Sequence, residues 1–247
     1  MEKNKLNIPT ETVELPSKGL LYSKESPLFS GKIEMKYMTA KEEDILTNQN
    51  YIKSGTVIDR LLQSLIVSNI NYNDLLVGDK NAIMVAARIL SYGSKYDFNY
   101  DGVEQSIDLS ALESKPLHPD FAKAVSNEFS YTLPNSGNVI TFRLLTHGDE
   151  NKIEQEIKGL QKINKNITSD VTVRLAHIIT SVNGSSEKAE IRDFVNNYFL
   201  AKDAREFRKY YNEISPDIDL NVSLTTSEGR EEAVDLPISV NFFWPDA

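Results

Sequence analysis

Apolar and polar residues alternate along residues 33–38, and the alternation ends in a helix start signal. Ile33, Met35 and Tyr37 share one side of this stretch, and their period of two residues predicts a half-buried β-strand. Thr39 and Glu42 follow with the T-x-x-E spacing of a capping box, in which each side chain can bond the backbone amide of the other. We therefore predict a strand that leads directly into a short helix over residues 41–46.

The same pattern returns 107 residues further along the chain. Ile140, Phe142 and Leu144 alternate as in the earlier strand, and Thr146 and Asp149 occupy the two capping positions. A second helix is predicted from about residue 149 to residue 163. The recurrence suggests that the chain holds two copies of one unit.

Two further stretches, residues 96–109 and 219–236, have the pattern of β-hairpins. Asp101-Gly102 is a strong signal for a two-residue turn in the first of them. The triplet at residues 107–109 corresponds to the triplet at residues 234–236, at an offset of 127. We interpret the chain as a duplicated unit of strand, capped helix, further helices and hairpin. The alternative is a chance match, because a strand followed by a capped helix is common.

These elements predict an α+β fold of helical bundles packed with small antiparallel β-hairpins, in two pseudo-repeated halves. Residues 1–14 are polar and are predicted to form a flexible N-terminal arm, residues 15–117 a first unit and residues 118–247 a second. An amphipathic helix is predicted over residues 57–66, and a buried helix capped by Asp79 extends through Leu90. Residues 48–54 are mostly polar and are predicted to form a loop.

Composition limits the classes of function. The 247 residues carry a net charge of −9, which argues against a general nucleic-acid binder because such a protein needs a basic face. There is no cysteine, so thiolate chemistry and cysteine-based zinc sites are excluded. The first residues have no apolar leader core, and no run of about 18 apolar residues predicts a membrane span. We expect a protein made and used in a cytoplasm.

No motif for catalysis, cofactor binding or metal binding is recognisable. The three histidines, His118, His147 and His177, lack the H-E-x-x-H spacing of zinc enzymes, and no G-x-S-x-G or phosphate-binding glycine motif occurs. We therefore predict no catalytic residue, no cofactor and no metal. An enzyme with an unrecognised site remains an alternative, and a polar pocket that joins His147 or His177 to two carboxylates would favour it.

Several stretches resemble the baseplate hub proteins of T-even-type contractile-tailed bacteriophages. The resemblance covers most of residues 15–110 and the last few residues, whereas residues 111–235 match only by layout. The similar segments are Leu15-Pro16-Ser17-Lys18-Gly19 with Leu21-Tyr22, Glu34-Met35, residues 39–46, residues 55–59, residues 73–83, Arg88-Ile89-Leu90 with Tyr92-Gly93, and Phe242-Phe243-Trp244-Pro245.

The resemblance implies a non-enzymatic component of the tail baseplate hub, or a hub assembly factor, whose partners are other hub proteins. The composition predicts no membrane and no nucleic-acid partner, and self-association stays open. The protein would occur in the host cytoplasm during assembly, and either stay in the baseplate of the virion or leave as a chaperone. Some relatives carry cysteine pairs in both hairpins, like small zinc knuckles. Here packing would have to replace the metal.

Three apolar stretches are the candidate contacts with a partner, and each could belong to the protein's own core instead. The first follows the polar arm, the second is a narrow stripe on one helix, and the third is the aromatic end of the chain. The candidate residues are Leu15, Pro16, Leu21, Tyr22, Ile153, Ile157, Leu160, Phe242, Phe243 and Trp244.

Overall fold

Small antiparallel sheets and packed helices make up the structure, which confirms the predicted α+β class. The computed structural model describes residues 8–163, 170–236, 238 and 240–243. The helices are α1 (Ala40–Leu46), α2 (Gln49–Ser54), α3 (Val57–Leu65), α4 (Val77–Tyr92), α5 (Pro119–Lys123), α6 (His147–Ile163), α7 (Asp170–Ile178), α8 (Lys188–Asp193) and α9 (Ala201–Ile214). The strands are β1 (Thr10–Glu14), β2 (Lys32–Lys36), β3 (Lys95–Tyr100), β4 (Val103–Asp108), β5 (Phe129–Thr132), β6 (Val139–Phe142), β7 (Ile179–Val182), β8 (Asn221–Thr225) and β9 (Glu231–Asp235).

The two halves build their first sheet in the same way. Strand β1 pairs with β2, and β5 pairs with β6, in both cases antiparallel. In the second half β7 adds a third strand to β6, with Ile179 opposite Phe142. In the first half the chain makes a single bridge at the same place, with Ile66 opposite Met35. Ile66 directly follows α3 and Ile179 directly follows α7, so the same helix-to-sheet return occurs twice.

A tight turn of related sequence follows the first strand of each half. Its residues are 15–19 (LPSKG) in the first half and 133–137 (LPNSG) in the second, at an offset of 118. The leading leucines, Leu15 and Leu133, are both fully buried. The closing glycines have left-handed backbones, with φ of +78° at Gly19 and +72° at Gly137.

Each half also buries one ion pair between a strand and the helix that follows it. Lys36 Nζ lies 2.8 Å from a carboxylate oxygen of Glu42, whose residue is fully buried. At the same offset of 107, Arg143 donates two hydrogen bonds of 2.7 and 2.8 Å to Asp149, which is 3% exposed. Both acids accept the backbone N–H of their helix cap, Thr39 or Thr146, so the predicted capping positions are confirmed.

Two hydrophobic cores divide the molecule, and the division differs from the predicted boundary at residue 117. The first core combines residues 13–112 with apolar residues between 218 and 243, while the second is built mainly from residues 117–214. The second hairpin and the C-terminal aromatic residues therefore complete the first core. Backbone hydrogen bonds hold the chain after α9 against the first half. Lys115 N–H donates to Asp217 O and Asp219 N–H donates to Glu113 O, both at 2.8 Å.

The two hairpins lie side by side and bond to each other. Gln105 donates to Thr225 O at 2.7 Å and accepts the Thr225 N–H at 3.3 Å. Asp101 in the first turn accepts both the N–H and the hydroxyl of Ser227 in the second turn. Under the first hairpin, the Tyr96 ring packs against the ring of Phe242 at 5.0 Å between centroids. Hydrogen bonds and aromatic packing thus hold the hairpins of this cysteine-free chain.

Three local predictions are wrong. Thr10–Glu14 form strand β1, where a flexible arm was predicted, because their polar residues pair with the edge of β2; residues 1–7 of that arm lie outside the described part of the chain. Residues 49–54 form helix α2 instead of a loop, since the Asn48 side chain caps its start and Gly55 ends it with φ of +71°. Asp79 does not cap α4, which begins at Val77 after Leu76.

The buried ion pair of the first half makes stability depend on pH in a defined direction. Burial alone would raise the pKa of Glu42, but hydrogen bonds from Lys36, Thr39 and Ser64 outweigh it and lower the pKa from 4.5 to about 2. A lowered folded-state pKa means that the ionised form contributes about 3 kcal/mol above about pH 5, and that this contribution is lost as the pH falls toward 2.

We expect Glu42→Gln to lower the free energy of unfolding by about 2–3 kcal/mol at pH 7, and the deficit to shrink as the pH falls below about 4.5. Urea unfolding followed by circular dichroism at several pH values measures both effects. The control is Glu43→Gln in the same helix. A deficit that stays constant down to pH 3 would contradict the assignment.

Candidate functional site

The structure places five of the ten candidate contact residues in the interior. Leu15, Pro16, Ile153, Phe242 and Phe243 are buried among residues of their own chain. These five residues therefore pack in the protein's own core, which was the alternative to contact with a partner. The half-buried candidates, for which contact with a partner stays a prediction, are Leu21, Tyr22, Ile157 and Leu160. Trp244 lies outside the described residues.

Asp79 is the buried centre that holds the first of the candidate stretches. Its carboxylate is fully buried and accepts the N–H of Ser17 at 2.9 Å and the Ser17 hydroxyl at 2.7 Å. The Tyr22 hydroxyl donates to it at 2.6 Å and accepts the Leu76 N–H at 2.8 Å. Burial raises the pKa of Asp79 above its ordinary value although these bonds oppose the shift. The carboxylate therefore fixes the turn, the tyrosine and the start of α4 together.

The second half has an equivalent buried aspartate at the start of α9. Asp203 is fully buried and accepts two bonds of 2.8 Å from Asn135, one from the backbone and one from the side chain. It also accepts the N–H of Ser136 at 3.0 Å. Asn135 and Ser136 belong to the turn that corresponds to residues 15–19. An aspartate at the third position of a helix thus holds the turn that follows the first strand in both halves.

The halves join where the segment before α4 meets the segment before α6. Leu76 lies opposite Thr146 in an antiparallel bridge. The Val77 N–H donates to Leu145 O at 3.2 Å, and the His147 N–H donates to Leu75 O at 2.7 Å. Leu76 is 3% exposed and belongs to the second core although it comes from the first half. We call this contact the junction.

Two glycines allow the backbones to approach at the junction. A Cβ atom on Gly78, the second residue of α4, would lie 1.8 Å from the carbonyl oxygen of Pro216. A Cβ atom on Gly148, the second residue of α6, would lie 3.0 Å from the carbonyl oxygen of Asn73. Glycine is therefore needed at Gly78 for contact with the chain after α9. At Gly148 a side chain would require the turn before α4 to move by a few tenths of an ångström.

A polar network surrounds His147 at the same place. Lys80 Nζ lies 2.6 Å from Asp59 and 3.2 Å from Nδ1 of His147. The Tyr72 hydroxyl donates to Asp59 at 3.0 Å, and its ring meets the imidazole edge-on at 4.7 Å between centroids. Burial, and then the Lys80 ammonium, lower the pKa of His147. The imidazole is therefore held neutral between a lysine and an aspartate.

This network opens into a cavity of about 290 Å³ whose lining includes His147, Asp59, Glu150 and Glu154. A histidine with carboxylates is the arrangement that the enzyme hypothesis required. Both ring nitrogens, however, have polar neighbours within the chain, since Nδ1 faces Lys80 and Nε2 lies 3.0 Å from the amide nitrogen of Asn151. These contacts explain the histidine as a structural member of the junction.

A larger, mostly apolar cavity of about 380 Å³ is lined by the junction segments. Its wall combines Leu76 and Val77 of the first half with Leu145, Leu175 and Tyr211 of the second. The Tyr211 hydroxyl accepts the Leu145 N–H at 2.9 Å, which ties α9 to the junction. The cavity has the size and lining to receive one or two apolar side chains.

None of the helices in the described ranges combines the length and the apolar character needed to cross a bilayer. Within the same ranges, no three side chains from histidine, aspartate and glutamate are grouped so that they could hold a metal ion.

The fold and the junction define a two-part α+β protein whose halves repeat one plan and share their interior. Over residues 8–244 the chain matches the model of the family described as T4 bacteriophage base plate protein, and it belongs to that family. It is therefore a phage baseplate protein. The comparisons with curated proteins and with solved structures give no match.

Substitution of Gly78 tests the junction. Alanine normally stabilises a helix relative to glycine, but here its Cβ would overlap the backbone at Pro216. We expect Gly78→Ala to lower the free energy of unfolding by about 3 kcal/mol, because the start of α4 must move away from the second half. Thermal and urea unfolding measure the loss.

The matched control is Gly159→Ala, the same change in the middle of α6. Apart from its chain neighbours and the backbone of its own helix, no described atom lies within 4 Å of the Cβ position there. This variant should gain about 0.5–1 kcal/mol from helix propensity. Equal effects of the two substitutions would show that the backbone contact at Gly78 is wrong.

Proposed function

We propose that this protein is a non-enzymatic component of the baseplate hub, or a factor that assembles the hub, and that it acts through contacts with other hub proteins. The observation that carries the proposal is the family match, which extends over residues 8–244 and so includes both halves. The resemblance of residues 15–110 to hub proteins supports the hub over other parts of the baseplate. A hub role places the protein in the host cytoplasm during assembly.

The surface supports a role in protein contacts. Apolar side chains are exposed on both halves, with Phe29 45% exposed in the first and Val139 42% and Val171 49% exposed in the second. Ile157 and Leu160 lie half-buried along α6 and continue the stripe that begins at the buried Ile153. Apolar residues on a surface of high net charge are a common form of protein-binding site.

The polar centres of the structure support the same proposal. Asp79, Asp203 and the His147 network each bond groups from separate parts of the chain. Their hydrogen-bonding capacity is directed to neighbouring backbone and side chains. These centres are therefore well suited to hold a rigid binding scaffold.

Within this proposal, a hub component and an assembly factor differ in whether the protein stays in the particle. Affinity capture of the tagged full chain from phage-infected cells, followed by mass spectrometry, identifies its partners. Mass spectrometry of purified particles shows whether it is retained. Hub proteins in the capture support the proposal, and presence in particles then selects the structural role. Capture of no tail protein would overturn it.

A pair of variants on α6 tests the binding surface directly. Leu160→Asp places a charge in the apolar stripe, whereas Gln161→Asp places the same charge one position further round the helix, on an exposed residue. We expect L160D to reduce the recovery of hub proteins about tenfold or more, because a charge at a buried interface is strongly unfavourable, and Q161D to leave recovery unchanged.

Both proteins are first compared with the native chain by circular dichroism and thermal unfolding. Leu160 is half-buried, so a modest loss of stability is expected in L160D. Folded L160D that captures hub proteins as well as Q161D does would exclude the stripe as a contact surface and leave the hub assignment to the capture experiment.

A further inference from the structure

The junction between the halves is asymmetric, so each half has one surface that the other half uses and one that it does not. The first half contributes residues 75–77 and the second contributes residues 145–147. We call residues 75–77 the donor segment and residues 145–147 the acceptor segment. Because the halves repeat one plan, the chain holds a second copy of each.

The second donor segment is residues 199–201. The buried aspartates fix this correspondence, since Asp79 and Asp203 are each the third residue of their helix and clamp equivalent turns. The first backbone bond of each helix corresponds as well, with Lys80 N–H to Leu76 O at 3.0 Å and Ala204 N–H to Leu200 O at 2.9 Å. Leu200 is therefore the counterpart of Leu76, at an offset of 124.

This second donor segment is uncovered. Leu200 is 50% exposed, against 3% for Leu76, and the neighbouring Tyr198 is 63% exposed. At the junction, Leu75 O and Val77 N–H both bond across to the other half. Among the described residues, no hydrogen bond is made by their counterparts, the carbonyl of Phe199 and the N–H of Ala201.

The second acceptor segment is residues 38–40, which lead into α1 as residues 145–147 lead into α6. Thr39 corresponds to Thr146 at the offset of 107 that also relates the two buried ion pairs. Its flanking groups, the carbonyl of Met38 and the N–H of Ala40, have no hydrogen-bond partner in the described parts of the chain. Met38 is half-buried, whereas its counterpart Leu145 is 3% exposed.

We propose that copies of this chain associate head to tail, the donor segment of one copy pairing with the acceptor segment of the next. Leu200 would lie opposite Thr39 of the second copy, as Leu76 lies opposite Thr146 within the chain. The Ala201 N–H would donate to Met38 O, and the Ala40 N–H would donate to Phe199 O. A head-to-tail contact of this kind produces a ring if its rotation closes and a filament if it does not.

A second copy of the chain is the expected partner, because the donor and acceptor segments already fit each other at the junction within one molecule. The two uncovered segments match the two halves of a contact that is formed and buried within every molecule. Each has one unpaired donor and one unpaired acceptor in the arrangement that the other satisfies. A second copy supplies both segments at once, and this inference does not depend on a role in the hub.

The contact between copies is looser than the internal one. Lys41 stands at the position of Gly148, and Lys202 at the position of Gly78. A Cβ atom at the position of Gly148 needs the facing backbone to move by a few tenths of an ångström. Gly78 is confined by Pro216, which belongs to neither the donor nor the acceptor segment. The lysine side chains are long and can turn away from the contact. Association should therefore depend on concentration.

Proline at the first residue of a helix tests the pairing with little effect on the monomer. Ala201 and Ala40 are the first residues of α9 and α1, where a helix makes no use of the backbone N–H. Their preceding residues are extended, as proline requires, with ψ of 137° at Leu200 and 172° at Thr39. Each substitution removes one donor of the proposed contact.

We expect the native chain to increase in sedimentation coefficient between about 5 and 500 µM, a range that detects micromolar contacts. Ala201→Pro and Ala40→Pro should each weaken this association about tenfold, because each leaves a facing carbonyl unpaired. Leu200→Asp should abolish it. The matched control is Gln49→Pro, at the exposed first residue of α2, which should leave association unchanged.

Cysteine cross-linking tests the register, and the native chain has no cysteine to interfere. Residues opposite each other in an antiparallel pair have Cα atoms about 4.5–5.5 Å apart, which a disulfide can span. Thr39→Cys mixed with Leu200→Cys should give a disulfide-linked dimer, and either variant alone should give none. The double variant should give a ladder of oligomers on a non-reducing gel.

Three results would overturn the proposal. The first is a native chain that stays monomeric over the whole range and gives no mixed disulfide. The second is association that A201P, A40P and L200D leave unchanged, which would place it on another surface. The third is cross-linking of Leu200→Cys in infected-cell extract to a different protein in preference to the Thr39→Cys copy.

Discussion

The buried carboxylate of Asp79 is the interaction on which the arrangement of the two halves depends. It fixes the turn at Ser17 and holds the Tyr22 hydroxyl, and that hydroxyl in turn accepts the N–H of Leu76. Leu76 is the residue that crosses into the second core. One desolvated acid therefore connects the first sheet, the first long helix and the junction. Loss of the acid would leave several buried donors without an acceptor. This would lower the free energy of unfolding far more than the loss of any single surface contact.

The two halves resemble each other most closely at their buried ion pairs. Each half pairs the buried acid of a helix with a lysine or arginine at the end of the preceding strand. The halves differ in sequence at equivalent positions that are packed in one half and exposed in the other. Glycines occur at the two positions where backbones meet in the junction, and lysines occupy the corresponding positions that face outward. A residue that has to be small inside the molecule is free to be charged at its surface.

Local patterns were sufficient to predict the elements that are fixed by neighbours in sequence. The alternation from Ile33, the capping residues Thr39 and Thr146, and the Asp101-Gly102 turn all act within a few residues, and the structure contains each of them. The duplication was inferred from two of these signals. A third was present and was missed, namely the related turns at residues 15–19 and 133–137. Comparison of the sequence with itself at an offset of 118 would have found it.

The remaining features depend on residues that are distant in sequence. Strand β1 is polar and becomes a strand only because β2 offers it an edge. Asp79 has the position of a helix cap, and only the folded turn at Ser17 shows that it clamps a loop 62 residues away. The candidate contact residues were chosen for their apolar character, which core and surface residues share, and half of them lie inside the molecule.

The same reasoning explains why the junction could not be predicted, although two signs of it are visible in the sequence. Glycine lowers the stability of a helix relative to alanine, so a glycine near a helix start suggests that another backbone lies against it. Both Gly78 and Gly148 occur at such a position. Either glycine alone would be unremarkable. Together, at the start of the long helix of each half, they mark places where another backbone lies close to the helix.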